Sequence, residues 1–237
     1  MKIYPAIDLY GGNAVRLYKG DYSQMTVYSD NPSQIAVDFE KQGAEYIHIV
    51  DLEGARDGYT PNIETVKAIL SSTKLKAEIG GGVRSISVIE KYIAAGVDRV
   101  ILGTSAVTDP VFLKKALTMF DEKIAVGVDI KDGYVAIKGW VEKSELEAFS
   151  FLRHLQELGV KTVICTDISK DGAMQGANHE LYAKMSREYD MKIIASGGVS
   201  DISDVKRLAA LNIHGAIIGK AYYTGAINLK EAIEVAK

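Results

Sequence analysis

Eight short runs rich in Ile, Val and Ala recur along the chain, each followed by a helix-like segment. The runs are KIYPAID, EYIHIVD, LKAEIG, DRVILG, KIAVGVD, KTVICTD, MKIIAS and HGAIIG. Spread over 237 residues, they give a repeat of roughly 30 residues, the size of one strand plus one helix. Most runs are continuously apolar, which is typical of strands covered on both faces, so the pattern predicts a parallel sheet.

Residues that begin and end helices agree with this pattern. Three of the four prolines follow a capping residue and predict helix starts, at Asn31-Pro32, Thr60-Pro61 and Asp109-Pro110. Glycines that follow a helix-like segment and precede a strand predict helix ends, at Gly43, Gly96 and Gly159. No proline-rich or serine-rich linker interrupts the pattern, so we expect a single domain over residues 1–237.

The two halves of the chain repeat each other. At an offset of 121 residues, Asp8 and Gly12 correspond to Asp129 and Gly133; at 116 residues, Asp51, Gly82 and Gly103 correspond to Asp167, Gly198 and Gly219. We therefore predict an α/β fold, a (β/α)8 TIM barrel made of half-barrels of about residues 1–121 and 122–237. A doubly wound open sheet is the alternative, but its first turn usually carries a dinucleotide-binding fingerprint, which the first run lacks.

Charge and composition exclude several classes of protein. The chain has 28 Lys and Arg against 31 Asp and Glu, a net charge of −3. This balance argues against a nucleic-acid or anionic-membrane surface, and no apolar run approaches the roughly 18–20 residues that span a bilayer. The single cysteine, Cys165, cannot form an intrachain disulfide, and no histidine cluster has metal-ligand spacing. We expect a cytoplasmic protein without a bound metal.

Four aspartates, Asp8, Asp51, Asp129 and Asp167, end predicted strands, which is where barrel enzymes place their chemistry. Any one of them could simply cap the loop that follows it. Asp8 and Asp129, however, hold the same position in the two halves, so closure of the barrel would place them on opposite sides of one mouth. Two such carboxyl groups can divide acid and base roles when their environments separate their pKa values.

Glycine-rich loops follow other strands and predict two phosphate sites. They form two matched pairs: Gly81, Gly82 and Arg84 with Gly103 and Thr104, and Gly197 and Gly198 with Gly219 and Lys220. Glycine lets backbone N–H groups approach an anion closely, and the N-terminus of the next helix adds its dipole. One such loop could be a plain tight turn, whereas two matched pairs indicate a small substrate with a phosphate at both ends.

Four further residues have both a functional and a structural interpretation. Trp140 could stack on a planar ligand or pack against the protein. Thr166 could orient a substrate or an aspartate, or cap the end of its strand. His48, within a predicted strand, is interpreted as a hydrogen-bonded barrel residue rather than a catalyst, and Cys165 as a small packed side chain.

These residues lie in motifs that resemble the phosphoribosylformimino-aminoimidazole carboxamide ribotide isomerases of histidine biosynthesis. The resemblance runs from Ile3 to about Tyr223 and follows the family's motifs in order: PAIDL with Gly12 and VRL, HIVDL, GGGVR, GW, TDISKDG and SGGV. It implies an Amadori rearrangement, in which a phosphoribosyl aminal with a phosphate at each end opens and isomerises from aldose to ketose.

The resemblance also implies catalytic roles. Asp129 would protonate the furanose ring oxygen as general acid, and Asp8 would take the proton from C2 of the opened imine. Thr166 would be a supporting hydroxyl beside them. The reaction needs no cofactor and no metal, which agrees with the absence of metal-ligand spacing in the sequence.

Three more residues in these motifs, Arg16, Asp171 and Gly172, are expected to bind the substrate, and Arg16 and Arg84 carry charge suited to a phosphate. The chain departs from the family at one place. Ala173 and Ala177 stand where the family commonly has threonine and proline, so the hydroxyl of that threonine is missing beside the loop after the sixth apolar run.

Three alternatives compete with a single-substrate isomerase. One is the sister enzyme of the same pathway, the imidazole glycerol phosphate synthase cyclase, which shares the two aspartates but typically begins with a Cys-Leu-Asp strand and lacks the Gly-Trp motif. The second is a dual-substrate isomerase that also acts on phosphoribosylanthranilate. The third is a non-catalytic phosphate-ligand sensor, which would need the glycine loops but not the paired aspartates. We expect no obligate protein partner.

Overall fold

The computed structural model describes residues 1–18 and 20–237. Its strands are β1 (Lys2–Tyr10), β2 (Asn13–Tyr18), β3 (Asp21–Ser29), β4 (Tyr46–Asp51), β5 (Lys76–Gly80), β6 (Arg99–Leu102), β7 (Ile124–Lys131), β8 (Tyr134–Ile137), β9 (Glu142–Glu147), β10 (Thr162–Asp167), β11 (Lys192–Ser196) and β12 (Gly215–Ile218). Its α-helices are α1 (Pro32–Lys41), α2 (Leu52–Asp57), α3 (Ile63–Ser72), α4 (Ile86–Ala94), α5 (Thr104–Thr108), α6 (Pro110–Phe120), α7 (Ala148–Glu157), α8 (His179–Glu188), α9 (Ile202–Ala209), α10 (Lys220–Tyr223) and α11 (Leu229–Val235). None of the helices in these ranges combines the length and apolar character needed to cross a bilayer.

Eight of the strands form a closed parallel barrel. They pair in the order β10, β11, β12, β1, β4, β5, β6 and β7, and pairing of β10 with β7 closes the sheet. Each apolar run in the sequence is one of these strands, and helices lie between consecutive strands. The predicted (β/α)8 barrel is confirmed.

The barrel carries two β-hairpins that the strand count did not predict. β2 and β3 extend β1, and β8 and β9 extend β7. Each begins with a two-residue turn in which both residues have positive φ, Gly11-Gly12 (+56° and +78°) and Asp132-Gly133 (+52° and +82°). Such turns match the twist of paired strands. The hairpins therefore lie at equivalent places in the two halves.

The apolar core has two layers. The larger layer lies between the barrel and its helices and takes outward-facing residues such as Ile47 and Ile49. The smaller layer fills the barrel itself and includes Tyr4, Ile101 and Ile164. Because both faces of each strand are covered, strand sequences alternate little in polarity.

Most predicted helix boundaries are confirmed. Asn31 and Asp109 cap α1 and α6, each accepting a hydrogen bond from a backbone N–H in the first turn. Gly43, Gly96 and Gly159 follow their helices with φ of +96°, +99° and +85°.

The predicted helix start at Thr60-Pro61 is wrong. The helix begins at Ile63 with Asn62 before it. The backbone N–H and side-chain amide of Asn62 both donate to Asp51, and this long-range bond turns the chain before the helix can start.

Candidate active site

A cavity of about 1100 Å³ opens at the carboxyl ends of the barrel strands. The loops after all eight barrel strands contribute to its wall. This is the face on which barrels of this type place their active sites, because loop residues there converge while the barrel keeps them rigid.

Asp8 and Asp129 both line this cavity. They lie on β1 and β7, which are on opposite sides of the closed sheet. Asp8 is 8% exposed. The structure thus brings together the two carboxyl groups that the internal repeat singled out.

Asp129 has the environment of a proton donor. Burial raises its pKa, although hydrogen bonds from Thr166 and Trp140 and the nearby His48 act to lower it. Thr166 is the in-register neighbour of Asp129 on β10. A carboxyl group with a raised pKa keeps its proton to higher pH, as general acid catalysis requires.

Asp171 is a third carboxyl group in the cavity, in the loop after β10. Burial raises its pKa to about 6; Arg16 and Lys220 lower it, while the charges of Asp8 and Asp129 raise it. Its sequence position indicated substrate binding only. The charges that shift its pKa lie on β1, β2, β7 and α10, far apart in the sequence, so no local pattern could have revealed them.

Arg16 reaches from the first hairpin into the cavity. Its Nη1 donates to Asp8 Oδ2 at 2.7 Å, and its guanidinium carbon lies 5.7 Å from the centroid of the Tyr223 ring. A Cβ atom at Gly219 would collide with the guanidinium. Arg16 Nε is buried and has no hydrogen-bond partner among the residues described. Arg16 therefore joins Asp8 to the glycine-rich loop after β12.

The two predicted glycine pairs lie on opposite parts of the cavity wall. Gly81 and Gly82 have φ of +115° and +69°, and Gly197 and Gly198 have φ of +90° and +86°. A Cβ at Gly198 would also approach the Gly176 carbonyl oxygen to 2.5 Å. These positions favour glycine for both conformation and space, as close-packed anion loops do.

Polar side chains at these loops already have partners within the protein. Lys220 Nζ donates to the Gly172 carbonyl at 2.9 Å, which ties the loop after β12 to the loop after β10. Thr104 Oγ1 accepts a hydrogen bond from the Lys138 backbone N–H at 2.9 Å. Arg84 is exposed, and its Nη2 donates to the Ala55 carbonyl at 3.0 Å.

Trp140 lies where the two hairpins meet. A Cβ atom at Gly20 would lie 2.8 Å from Trp140 Cε3, so the indole packs directly against the tip of the first hairpin. Trp140 also lines the cavity and hydrogen-bonds Asp129. The packing and ligand-facing interpretations of this residue are therefore compatible.

Asp51 and Asp167 hold loops in place. Each accepts from an asparagine eleven residues later: Asn62 Nδ2 lies 2.8 Å from Asp51, and Asn178 Nδ2 lies 2.6 Å from Asp167. Both aspartates also accept backbone N–H groups of their own loops. The capping interpretation is confirmed for this pair, and Cys165 is buried as a packed side chain.

The two alanines that depart from the family lie in the loop between β10 and α8. The Ala173 N–H donates to the Lys170 carbonyl at 3.1 Å, within a turn next to Asp171. Ala177 is buried in the outer core at 8% exposure. The loop therefore keeps internal backbone bonds without a threonine hydroxyl.

A closed barrel with a cavity at the carboxyl ends of its strands, lined by two aspartates and two pairs of glycine-rich loops, defines a class, the (β/α)8-barrel enzymes. Within that class, this chain belongs to the histidine biosynthesis protein family, whose model matches residues 2–228.

Curated relatives cover nearly the whole chain. This chain is 53% identical to a protein of Lactococcus lactis subsp. cremoris, and the match covers 98% of this chain and 95% of that protein. It is 48% identical to one of Oceanobacillus iheyensis (99% and 98%) and 45% identical to one of Acetivibrio thermocellus (100% of each). All three are named 1-(5-phosphoribosyl)-5-((5-phosphoribosylamino)methylideneamino) imidazole-4-carboxamide isomerase. These names do not favour the cyclase or the sensor.

Proposed function

We propose that the cavity catalyses the isomerisation that the relatives' name describes, on a substrate with two phosphoribosyl groups. Membership of the family and full-length similarity to named isomerases make the chain an isomerase of histidine biosynthesis. The observation that carries the site assignment is the placement of Asp8 and Asp129 in one cavity, between two pairs of glycine-rich loops.

The first step opens the sugar ring. Asp129 donates its proton to the ring oxygen while the bond from that oxygen to C1 breaks, and the nitrogen lone pair forms the C1=N bond. The hydroxyl of Thr166 holds Asp129 in place. The raised pKa of Asp129, caused by its burial, supports this role.

The second step moves the double bond. Asp8 takes the proton from C2, the C–H electron pair forms C1=C2, and the C=N pair returns to nitrogen. A proton is then added at C1 and the hydroxyl on C2 becomes the ketone. Arg16 Nη1 lies 2.7 Å from Asp8 Oδ2 and holds that carboxyl group in place in the cavity.

Asp171 is a second candidate for the proton donor. Burial is the main cause of its raised pKa of about 6. Part of the molecules therefore carry a proton on Asp171 near neutral pH. We retain Asp129 as the acid because it occupies the position in β7 that repeats Asp8. Asp171 would then bind the substrate.

The two pairs of glycine-rich loops would each hold one phosphate of the substrate. The pair after β5 and β6 would bind the first phosphate with Gly81, Gly82, Arg84, Gly103 and Thr104. Gly172, Gly197, Gly198, Gly219 and Lys220 would hold the other end together with Arg16. Trp140 would cover the ring system of the substrate between them. In this proposal the enzyme acts in the cytoplasm without an obligate protein partner.

An isomerase assay on the purified chain tests the proposal. The substrate is the bisphosphorylated aminal, supplied without ammonia and without any other protein. We expect the ketose isomer as the only product. A chain that gives no ketose, or that needs ammonia and releases an imidazole product, would contradict the assignment.

A further inference from the structure

Three charged or ionisable side chains lie inside the barrel beneath the active site. His48, Glu78 and Arg99 are on the adjacent strands β4, β5 and β6 and are direct partners in register. Their side chains are 12%, 2% and 16% exposed. The proposed steps above use none of them.

These side chains form a continuous hydrogen-bonded chain. His48 Nδ1 lies 2.7 Å from Glu78 Oε1, and Arg99 donates to Glu78 Oε2 through both Nε and Nη2. Arg99 also donates to the hydroxyls of Tyr4 and Thr162. Glu78 is therefore bound on both oxygens.

This bonding fixes the position of one proton. Burial acts to raise the pKa of Glu78, but the hydrogen bond from His48 and the Arg99 charge outweigh it and hold the pKa below its usual value. Glu78 is thus a carboxylate, which only accepts hydrogen bonds. The proton in the bond must lie on His48 Nδ1, and in the neutral imidazole Nε2 is then an acceptor.

The second half of the barrel shows that the fold does not need charge at this level. The residues 116 positions later are Ile164, Ile194 and Gly215, and they are in register with one another in the same way. Both isoleucines belong to the apolar interior. Since burying an ion pair is often no better for stability than apolar packing, the charged set in the first half calls for another explanation.

His48 also faces the reacting groups. It lines the active-site cavity, and it acts on the Asp129 carboxyl electrostatically. Its strand, β4, pairs with β1, where His48 is in register with Ala6, two residues before Asp8.

We propose that His48 Nε2 accepts the proton of the substrate hydroxyl on C2, and that Glu78, held by Arg99, is the positioning residue that keeps Nε2 free to do so. This inference rests on the proposed isomerase function and assigns the group that completes it.

The proton balance closes with this assignment. After Asp8 has taken the C2 proton, the intermediate is an enol with C1=C2 and a hydroxyl on C2. Asp8 returns its proton to C1 as the C1=C2 electron pair forms the new C–H bond. The O–H bond breaks, its electron pair forms C2=O, and its proton goes to His48 Nε2. His48 then passes a proton to Asp129, which lost one to the ring oxygen, and each group is restored.

Glu78→Gln is the discriminating variant. Arg99 can only donate, so the amide oxygen of Gln must face Arg99 and the amide NH2 must face His48. That arrangement makes Nδ1 an acceptor and moves the imidazole proton to Nε2. Arg99→Lys is the matched comparison for the tautomer alone, because it also alters the ion pair but leaves the carboxylate on His48 Nδ1.

The first readout is the tautomer of His48, measured by long-range 1H–15N spectra of histidine-labelled protein at mildly alkaline pH. His48→Gln assigns its signals among the four histidines. We expect a protonated Nδ1 and a bare Nε2 in the unaltered protein and in Arg99→Lys, and the reverse in Glu78→Gln. A protonated Nε2 in the unaltered protein would overturn the proposal, whether or not any variant folds.

The second readout is turnover. Glu78→Gln and His48→Gln should lower kcat by about 10²-fold or more with little change in KM, as loss of a proton-transfer group does. Arg153→Gln, which removes an exposed charge on α7, should leave kcat close to normal. A reversed tautomer with unchanged kcat would rule out the catalytic role. If the unaltered chain shows no isomerase activity, the proposed function fails, and the tautomer spectra still decide the role of Glu78.

Discussion

Arg16 Nη1 donates to Asp8 Oδ2 at 2.7 Å, while the same guanidinium packs against Gly219 in a glycine-rich loop. One side chain thus contacts both the proposed base and a proposed phosphate site. Its Nε is buried without a partner among the described residues. Such an unsatisfied donor costs free energy, and a phosphate oxygen at the loop would satisfy it.

Replacing Arg16 should therefore weaken substrate binding. We expect Arg16→Gln to raise KM by about tenfold or more, because a charge-assisted hydrogen bond contributes about 1.5–3 kcal/mol. Steady-state kinetics and competitive inhibition by inorganic phosphate measure the effect. Arg153→Gln, which removes an exposed charge on α7, is the control and should change neither. Equal KM values in both variants would show that Arg16 does not contact the phosphate.

The paired aspartates should be needed for chemistry and not for folding. Asp8→Asn and Asp129→Asn are each expected to lower kcat by at least about 10²-fold, with thermal unfolding close to that of the unaltered protein. Asp51→Ala, in contrast, should affect stability. It removes the acceptor of the hydrogen bonds from Gly54 and Asn62 and should lower the free energy of unfolding by about 2–4 kcal/mol. Near-normal turnover in either Asn variant would contradict the acid–base assignment.

The ionisation of Asp171 should make stability depend on pH. Its pKa in the folded protein, about 6, is above the ordinary value of 3.8 because the group is buried. A raised pKa means that the protonated form favours folding, so the contribution is fully present below the ordinary pKa and is lost as pH rises through 6. Asp171→Asn should therefore raise Tm at alkaline pH. The corresponding gain in the free energy of unfolding is on the order of 1–3 kcal/mol.

Thermal unfolding across a pH series checks this expectation. The difference in Tm between Asp171→Asn and the unaltered protein should shrink as the pH falls towards the ordinary pKa of aspartate. Asp57→Asn is a control, because Asp57 is in an exposed pair with Arg56 and should show no such gain. A variant less stable than the unaltered protein at alkaline pH would contradict the direction of the shift.

The barrel was predictable because its strands carry their own signal. Buried parallel strands are apolar on both faces, and eight such runs leave few other folds. The hairpins were missed because β3 and β9 are largely exposed and lack apolar alternation. Their turns do carry a signal: Gly11-Gly12 and Asp132-Gly133 are residue pairs that favour two-residue hairpin turns.

The site was predictable in part for a similar reason. The internal repeat indicates Asp8 and Asp129, which hold the same position in the two halves of the chain. Glycines at strand ends indicate the loops of the two predicted phosphate sites. The pKa of Asp171 and the pairing of Arg16 with Asp8 depend on residues distant in sequence. His48 was interpreted as a hydrogen-bonded barrel residue, and its bond to Glu78 confirms that. The sequence could not show that its side chain also lines the cavity.

Two anions should bind per chain. Crystals grown with phosphate or sulfate should show one anion at Gly82, Gly103 and Thr104 and another at Gly198, Gly219 and Lys220, held mainly by backbone N–H groups. Titration with inorganic phosphate should fit two sites. Density at neither loop pair would remove the argument for a bisphosphorylated substrate.

Substrate range depends on the loop after β8. Lys138, Gly139 and Trp140 have φ of +55°, +65° and +72°, so this loop is folded and not extended. The two side chains consequently diverge. Lys138 Nζ pairs with Glu142 at 2.6 Å, and Trp140 packs on Gly20 and bonds Asp129. By changing its conformation, a folded loop of this kind could place either the Lys138 ammonium or the Trp140 indole against a bound ligand.

Even so, we expect a single-substrate isomerase. The monophosphorylated phosphoribosylanthranilate would leave one phosphate site empty, and an empty site at Arg16 would keep its buried Nε unpaired. Unpaired buried polar groups reject a smaller substrate strongly. Expressed in a strain without the tryptophan-pathway isomerase, the chain should not restore growth without tryptophan. The same plasmid should restore a strain that lacks the histidine-pathway isomerase, which controls for expression and folding. Rescue of both strains at ordinary expression would show that the Lys138–Trp140 loop adapts to the smaller substrate.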